Sequence, residues 1–400
     1  MNSGNCGSQC GNNCNSCGEN NCDDECCEVF KCCKCGPDGN FWIRDEYVGW
    51  WAQGGRVPAL VNTSSDGTLP SDITLYGNDT YNSGYRSGNW TQTGMWFDCC
   101  HTHGIQADYF FVGQKSSPFF AASDGDPILT RPFIDASTGD PADELVAFPG
   151  IVVGRISIDN HNNMQGAGVL GRCNICCDCG CDCCGNNMCT PKCWCKERCS
   201  RCDFVGGFRW YQFNDNLNIT ENLVSIDPNS GIPVGTMIDL TDSFTTENNF
   251  YGFEFGVIHQ VWRGRWMTEG TYKVALGDMN SVVNINGSTT VSFPGQPTVV
   301  NQGGLLALQS NIGRHTQDNF AAIPQVSWRL GYRMTEHITL MGGYTFMFFS
   351  QIARAGDQID PVINTNLIPP VTGGGTRPAY VFHPSELVLQ GVTIGAEINF

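Results

Sequence analysis

The sequence predicts an all-β chain, a transmembrane antiparallel up-and-down β-barrel of about ten strands, with twelve as the upper count. Three observations carry this. Apolar and polar residues alternate with a period of two in several segments, so one face of each suits an apolar medium and the other a polar interior. The connections between these segments are alternately short and long. No run of roughly 18 consecutive apolar residues is present, so a membrane is crossed by strands or not at all.

Composition narrows the class further. Across 400 residues there are 48 glycines and only 15% charged side chains, which fits one long barrel better than several soluble domains. A formal net charge of −17 argues against a partner with a phosphate backbone, so no nucleic acid is expected. Twenty-four cysteines point to an oxidising compartment. Met1 is followed by N-S-G-N-C-G-S-Q-C, without a basic or an apolar leader region. For an exported chain this means a misplaced start, a trimmed leader or an unusual export route.

Taken in order, residues 1–38 are a low-complexity tail rich in Asn, Gly and Cys, too poor in large apolar residues to build a core. Its ten cysteines are Cys6, Cys10, Cys14, Cys17, Cys22, Cys26, Cys27, Cys32, Cys33 and Cys35. Residues 39–400 form the barrel. Strands are expected near 41–53, 86–98, 104–114, 151–171, 203–220, 244–262, 265–283, 317–333, 336–352 and 385–400. The alternation is clean in several. Ile338, Leu340, Gly342, Tyr344, Phe346 and Phe348 share a face, as do Ala322, Val326, Trp328, Leu330 and Tyr332. Tyr251, Phe253, Phe255 and Val257 oppose Gly252, Glu254 and Gly256.

The connections are long at 54–85, 115–150, 221–243, 284–316 and 353–384. They are short at 99–103, at Arg263-Gly264-Arg265 and around Thr335 and Glu336. A Cys-rich insert, 173–202, occupies the remaining short-side position. Barrels of the bacterial envelope carry short turns on the periplasmic side and long loops outside. Counted from the amino-terminus, the tail, the Cys99-Cys100 turn and the insert all fall on the periplasmic side. No cysteine falls in a long loop or a strand interior on these boundaries.

The final segment, T-I-G-A-E-I-N-F, reads as a closing strand with Val388, Val392, Ile394, Ala396, Ile398 and Phe400 outward and Thr393, Gly395, Glu397 and Asn399 inward. Thr393, Gly395, Ile398 and Phe400 resemble the carboxy-terminal signal by which outer-membrane barrels reach their assembly machinery, which makes that machinery and outer-membrane lipid the implied partners. Longer stretches extend the likeness: S-D-G-D-P-I-L-T-R-P-F (123–133), E-L-V-A-F-P-G (144–150), G-F-R-W-Y-Q-F-N-D-N-L-N-I-T-E-N-L (207–223), P-V-G-T-M-I-D-L-T-D-S-F-T-T-E-N-N-F-Y-G (233–252), K-V-A-L-G-D (273–278), G-G-L-L-A-L-Q-S-N-I-G (303–313) and G-Y-T-F-M-F-F-S-Q-I-A-R-A-G-D-Q-I-D (343–360). Over residues 41–400 the chain resembles the outer-membrane β-barrel porin family typical of planctomycetes. The resemblance implies an outer-membrane barrel with an inferred transport role and no catalytic residues. The tail and the insert depart from it.

On this register the inward charges are Arg44, Glu46, Asp108, Arg209, Glu254, Glu269, Lys273, Arg329, Arg333 and Glu397. They either line a small-solute pore or pair across a narrow lumen and close it. The insert holds Cys173, Cys176, Cys177, Cys179, Cys181, Cys183, Cys184, Cys189, Cys193, Cys195, Cys199 and Cys202. With Cys99 and Cys100 these are candidates for disulfides, bridges to other Cys-rich envelope proteins among them, or for zinc or another soft metal. Asp98-Cys99-Cys100-His101-Thr102-His103 packs four potential ligands, Cys99 and Cys100 among them, into one turn. His161, His259, His315, His337 and His383 show no nucleophile–base pattern. A protease of the outer-rim acid–histidine type needs pairs such as Asp159 with His161 or His315 with Asp318. No cofactor is expected, and the function expected is a porin-like or structural envelope barrel rather than an enzyme.

Overall fold

The computed structural model describes residues 36, 39–98, 101–178, 199–370 and 373–400. Ten antiparallel strands close into one ring. They are β1 (Phe41–Ala52), β2 (Gly84–Trp96), β3 (His103–Ser116), β4 (Val152–Asp178), β5 (Cys199–Ser225), β6 (Met237–Arg263), β7 (Trp266–Ser292), β8 (Gly313–Arg333), β9 (Ile338–Ala353) and β10 (Pro384–Asn399). Each pairs with its sequence neighbours, and β10 pairs with β1 from Trp42↔Asn399 to Ala52↔Leu389. Phe41 and Phe400 exchange backbone hydrogen bonds of 3.3 and 2.8 Å where the ring closes. Gly264, at φ +57°, makes the two-residue turn between β6 and β7 that a β-branched residue would strain.

Alternation sets every strand's two faces. On β10 the inward Leu387, Leu389, Thr393, Glu397 and Asn399 are buried, while Val392, Ile394 and Phe400 are exposed outward. The outer face changes character at one level. On β5 it runs Phe204, Gly206, Phe208, Trp210, then Gln212, Asn214, Asn216, Asn218, Thr220 and Asn222. Register carries the boundary to the neighbours: Gln212 pairs with Gln165 and Asn249, Asn249 with Asn280, and Asn280 with Asp318. Below it lies an apolar belt. Above it the wall is polar, and side chains hydrogen-bond strand to strand, as in Gln165 Nε2 to Gln212 Oε1 (2.7 Å) and Ser243 Oγ to Asn218 Oδ1 (2.6 Å).

The strands β4 to β7 are each 27 residues, against the roughly 9–11 that cross a bilayer. This corrects the expected limits. Loops expected at 221–243 and 284–316 shrink to the spans between β5 and β6 and between β7 and β8, because the polar outer residues there still alternate with apolar inner ones and stay in the ladder. At the other end β4 runs to Asp178 and β5 starts at Cys199, so Cys173, Cys176, Cys177, Cys199 and Cys202 lie within strands rather than in a turn.

The long connections fold into and over the extended wall. Segments Val61–Thr63, Ile73–Tyr76, Leu129–Asp135, Pro141–Ala147 and Val362–Ile363 make a separate five-stranded sheet. Its Leu129, Phe133 and Val146 share one buried apolar cluster with Ile156, Leu217 and Phe244 of the wall and with Leu305, Leu306 and Leu308 of the loop before β8. Among the described residues there is no α-helix, only single 3-10 turns at Gly356–Gln358 and Thr365–Leu367.

Candidate functional site

If the barrel conducts, its path runs down the interior, so the interior is the candidate site. Inward positions at mid-belt hold a buried charge network. Arg44 donates to both oxygens of Glu269 (2.8 and 2.9 Å) and to Glu397 (2.6 Å). Arg329 forks onto Glu46 at 2.8 and 2.9 Å and reaches Glu269 at 3.3 Å. Arg209 forks onto Asp108 at 2.6 and 2.8 Å and also holds Glu254 at 2.6 Å, which Lys273 meets at 3.0 Å. Four cations face five carboxylates, all buried. Several leftover acceptors take neutral donors, namely Thr393 and Gln92 to Glu46, Trp90 to Asp108 and Gln260 to Glu269, while Glu254 Oε1 accepts none among the described residues. Such bidentate geometry fixes each guanidinium in one orientation.

Toward the loop end the network is roofed by Trp50, Trp90, Phe110, Tyr211, Phe250 and Phe349, packed with Met164, Met279 and Met347. Trp50 contacts Trp90 and Phe110 at centroid separations of 5.8 and 5.5 Å, and Tyr211 meets Phe349 edge-on at 5.1 Å. Toward the turn end, Arg172 and Arg201 both bind Asp203 and both stack on Trp96, at 4.8 and 3.9 Å, with His101 on the same ring. One cavity beside Arg44, Glu269, Lys273 and Arg329 is about 20 Å³. That holds one water, which takes about 10–15 Å³ of this measure.

A second buried charge cluster lies in the loop-end extension. Arg131 pairs with Glu221 of β5 and, at 2.8 Å, with Asp242 of β6, and approaches Glu144 at 3.8 Å. Asp242 also accepts the backbone N–H groups of Leu305, Leu306 and Ala307 at 3.3, 3.2 and 2.8 Å. Burial, together with the Glu221 and Asp242 charges, holds Glu144 well above the usual carboxylate range. Burial likewise raises Glu221, against the pull of Arg131. Burial opposes the charge on Arg131, but Glu221 and Asp242 more than offset it. One cation among three carboxylates thus clasps the small sheet to the wall.

The profile of the "Putative beta barrel porin-7 (BBP7)" family matches residues 42–400. The chain belongs to the BBP7 family. No curated protein matches the sequence. Solved barrels similar in outline include the outer membrane protease OmpT from Escherichia coli, at 8% identity, TM-score 0.42, and 92% and 99% coverage of this chain and that one. A TodX monoaromatic hydrocarbon channel mutant (11%, TM-score 0.25) and a Pseudomonas aeruginosa FadL homologue (8%, TM-score 0.21) each share 91% coverage of both chains. Likenesses of this degree carry no argument about activity.

In this BBP7 chain, Arg333 keeps the inward parity of Gln325, Ser327 and Arg329 but lies outside the charge network. As the last residue of β8 it is half-buried at the turn and forms no ion pair among the described residues. Arg131, Glu144, Glu221, Asp242, Arg172, Arg201 and Asp203 add to the buried charge without having been singled out from the sequence, as do Arg86, Asp215 and Arg354. Glu221 and Asp242 fell in a span expected to be loop, where inward and outward have no meaning. The acid–histidine pairs do not form a site. Asp159 and His161 are 3.3 Å apart but lie on the outer wall, and His315 stacks on Tyr380 at 3.7 Å while Asp318 accepts from Asn280. Asp98 accepts from the backbone N–H groups of Thr102 and His103, which makes it a turn cap. Cys173, Cys176 and Cys202 are free thiols, so the cysteines are not all paired, and Cys177 and Cys199 are disulfide-bonded. Cys99, Cys100, Cys179, Cys181, Cys183, Cys184, Cys189, Cys193, Cys195 and the tail cysteines lie outside the described residues. Among the described residues no three His, Cys, Asp or Glu side chains are placed to hold a metal.

Proposed function

We propose that this BBP7 member is a closed outer-membrane barrel, a structural component of the envelope that carries a folded loop sheet on an extended wall. It is not an open diffusion pore and not an enzyme. The observation that carries the reading is the interior. Bidentate ion pairs at mid-belt, an aromatic roof above them and stacked arginines below fill the lumen, and the cavity beside Arg44 and Arg329 has room for about one water. An open pore needs a continuous wet path, and removing any of these three layers leaves the other two. The loop end faces outward from the cell and the turn end, with the Cys-rich segments, faces the periplasm. The alternation of long and short connections supports that orientation. Those cysteines are suited to bridging Cys-rich neighbours, and soft-metal binding by them is the second reading.

Planar-bilayer recording of the purified, folded protein tests this. The expected result is silence at physiological salt in oxidised and reduced protein alike. Discrete, reproducible openings from single barrels would overturn the closed reading and restore the small-solute pore.

A further inference from the structure

The outward face of the belt is apolar and uncharged on β8, β9 and β10, where Val326, Trp328, Leu330, Leu340 and Ile394 stand exposed. Where β1 meets β2 it is not. The outward positions of β2 read Ser87, Asn89, Thr91 and Thr93, and beside them on β1 stands the exposed Asp45. Thr91 Oγ1 donates to Asp45 Oδ1 at 2.6 Å and Asn89 Nδ2 donates to the same oxygen at 3.1 Å. Among the described residues Asp45 Oδ2 accepts nothing.

Asp45 is not at a rim. It lies four residues from Phe41 at the turn-end edge, roughly 13 Å along the strand and about 10 Å in height within a belt about 25 Å tall. Tyr47 lies beyond it on the same face, and the ladder partner of Asp45 on β10 is Ala396, between Ile394 and Ile398. Lipid tails offer no donor, so a carboxylate here is poorly solvated as long as lipid covers it.

We propose that this seam is an intramembrane interface with a second copy of the chain, related by a two-fold axis. The patch is self-complementary. It presents one open carboxylate oxygen together with spare donors, the second N–H of Asn89 and the Ser87 hydroxyl. An isologous contact therefore gives each Asp45 the donors of the other copy. Outward Ala107 on β3 and Ala396 on β10 are small and let two walls approach closely beside it. The inference concerns the outer face and does not depend on whether the lumen conducts, so a failure of either leaves the other standing.

The test is the mass of the full chain in lipid nanodiscs or mild detergent, measured by light scattering across concentration. Wild type is expected to show two copies per particle. Asp45→Leu is expected to dissociate at least ten-fold more readily, with heat-modifiable gel migration showing that its barrel is still folded. Val326→Thr, on the far side of the belt, is the control and is expected to stay paired. A wild type with one copy per particle, an Asp45→Leu protein paired as tightly as wild type, or a different protein held in stoichiometric amount at this seam would overturn the proposal.

Discussion

At the scale of single residues, the interior charges are arranged so that each depends on several others. Removing one member of a buried pair strands its partner, at a cost of about 3–5 kcal/mol, whereas exchanging the whole set for apolar side chains of similar volume is close to neutral. Arg209→Met leaves Asp108 and Glu254 with only Lys273 and neutral donors nearby. It is expected to lower stability by about that amount in urea unfolding from detergent. Adding Asp108→Leu and Glu254→Leu to it is expected to restore most of the loss. A single change within about 0.5 kcal/mol of wild type would mean that the pairs do not hold the lumen shut.

The clasp at Arg131 is sensitive to pH in a definite direction. The folded-state values of Glu144 and Glu221 lie above their unfolded values, so the folded state binds protons more tightly. Their contribution is fully present below the ordinary carboxylate range and is lost as pH rises through the raised values. Hydrogen exchange of Leu129–Asp135 and Pro141–Ala147, corrected for intrinsic rate, is expected to show stronger protection in mildly acidic than in alkaline buffer. Glu144→Gln is expected to flatten that dependence. Protection that rises with pH in wild type would reverse the assignment.

At the scale of the element, each long strand is two strands end to end with one continuous ladder. The lower part of β5 faces lipid with Phe204 and Phe208, and the upper part faces water with Asn214, Asn216 and Asn218. Arginine placed on the lipid face costs about 2–4 kcal/mol near the bilayer midplane and almost nothing outside it. Phe208→Arg is therefore expected to impair folding into lipid vesicles, and Asn216→Arg to leave it unchanged. Equal effects of the two would mean that the belt boundary at Gln212 is misplaced. The closing strand behaves in the same way. Its inward Glu397 is held by Arg44 and its outward Ile398 and Phe400 remain in the belt, which leaves the carboxy-terminal pattern intact on the lipid side.

At the scale of the molecule, ring closure makes the fold resistant to detergent, because each of the ten ring strands is paired on both sides. Unboiled protein is expected to migrate faster on a gel than boiled protein. A single band position before and after boiling would count against a closed ring. The period of two in several segments, with the alternating connection lengths, pointed to about ten strands, their neighbours and their inward faces, because alternation is local and an up-and-down order follows from sequence adjacency. That is why Arg44, Glu46 and Glu397 could be placed inward from the sequence. The lengths of β4 to β7 were not legible, since a strand that leaves the membrane exchanges Phe for Asn outside and loses the apolar face by which it was recognised. The partners of each interior charge were not legible either. Arg44 meets Glu269, which lies 225 positions away, only because closure of the ring sets both at one height. Asp45 gains its partners only through the β1–β2 register, which puts Thr91 and Asn89 beside it. Within the strands it revealed, sequence alone determined which way the side chains point. The tertiary structure decided what they point at, because that depends on shear, closure and loops folding back, all of which act between residues far apart in the chain.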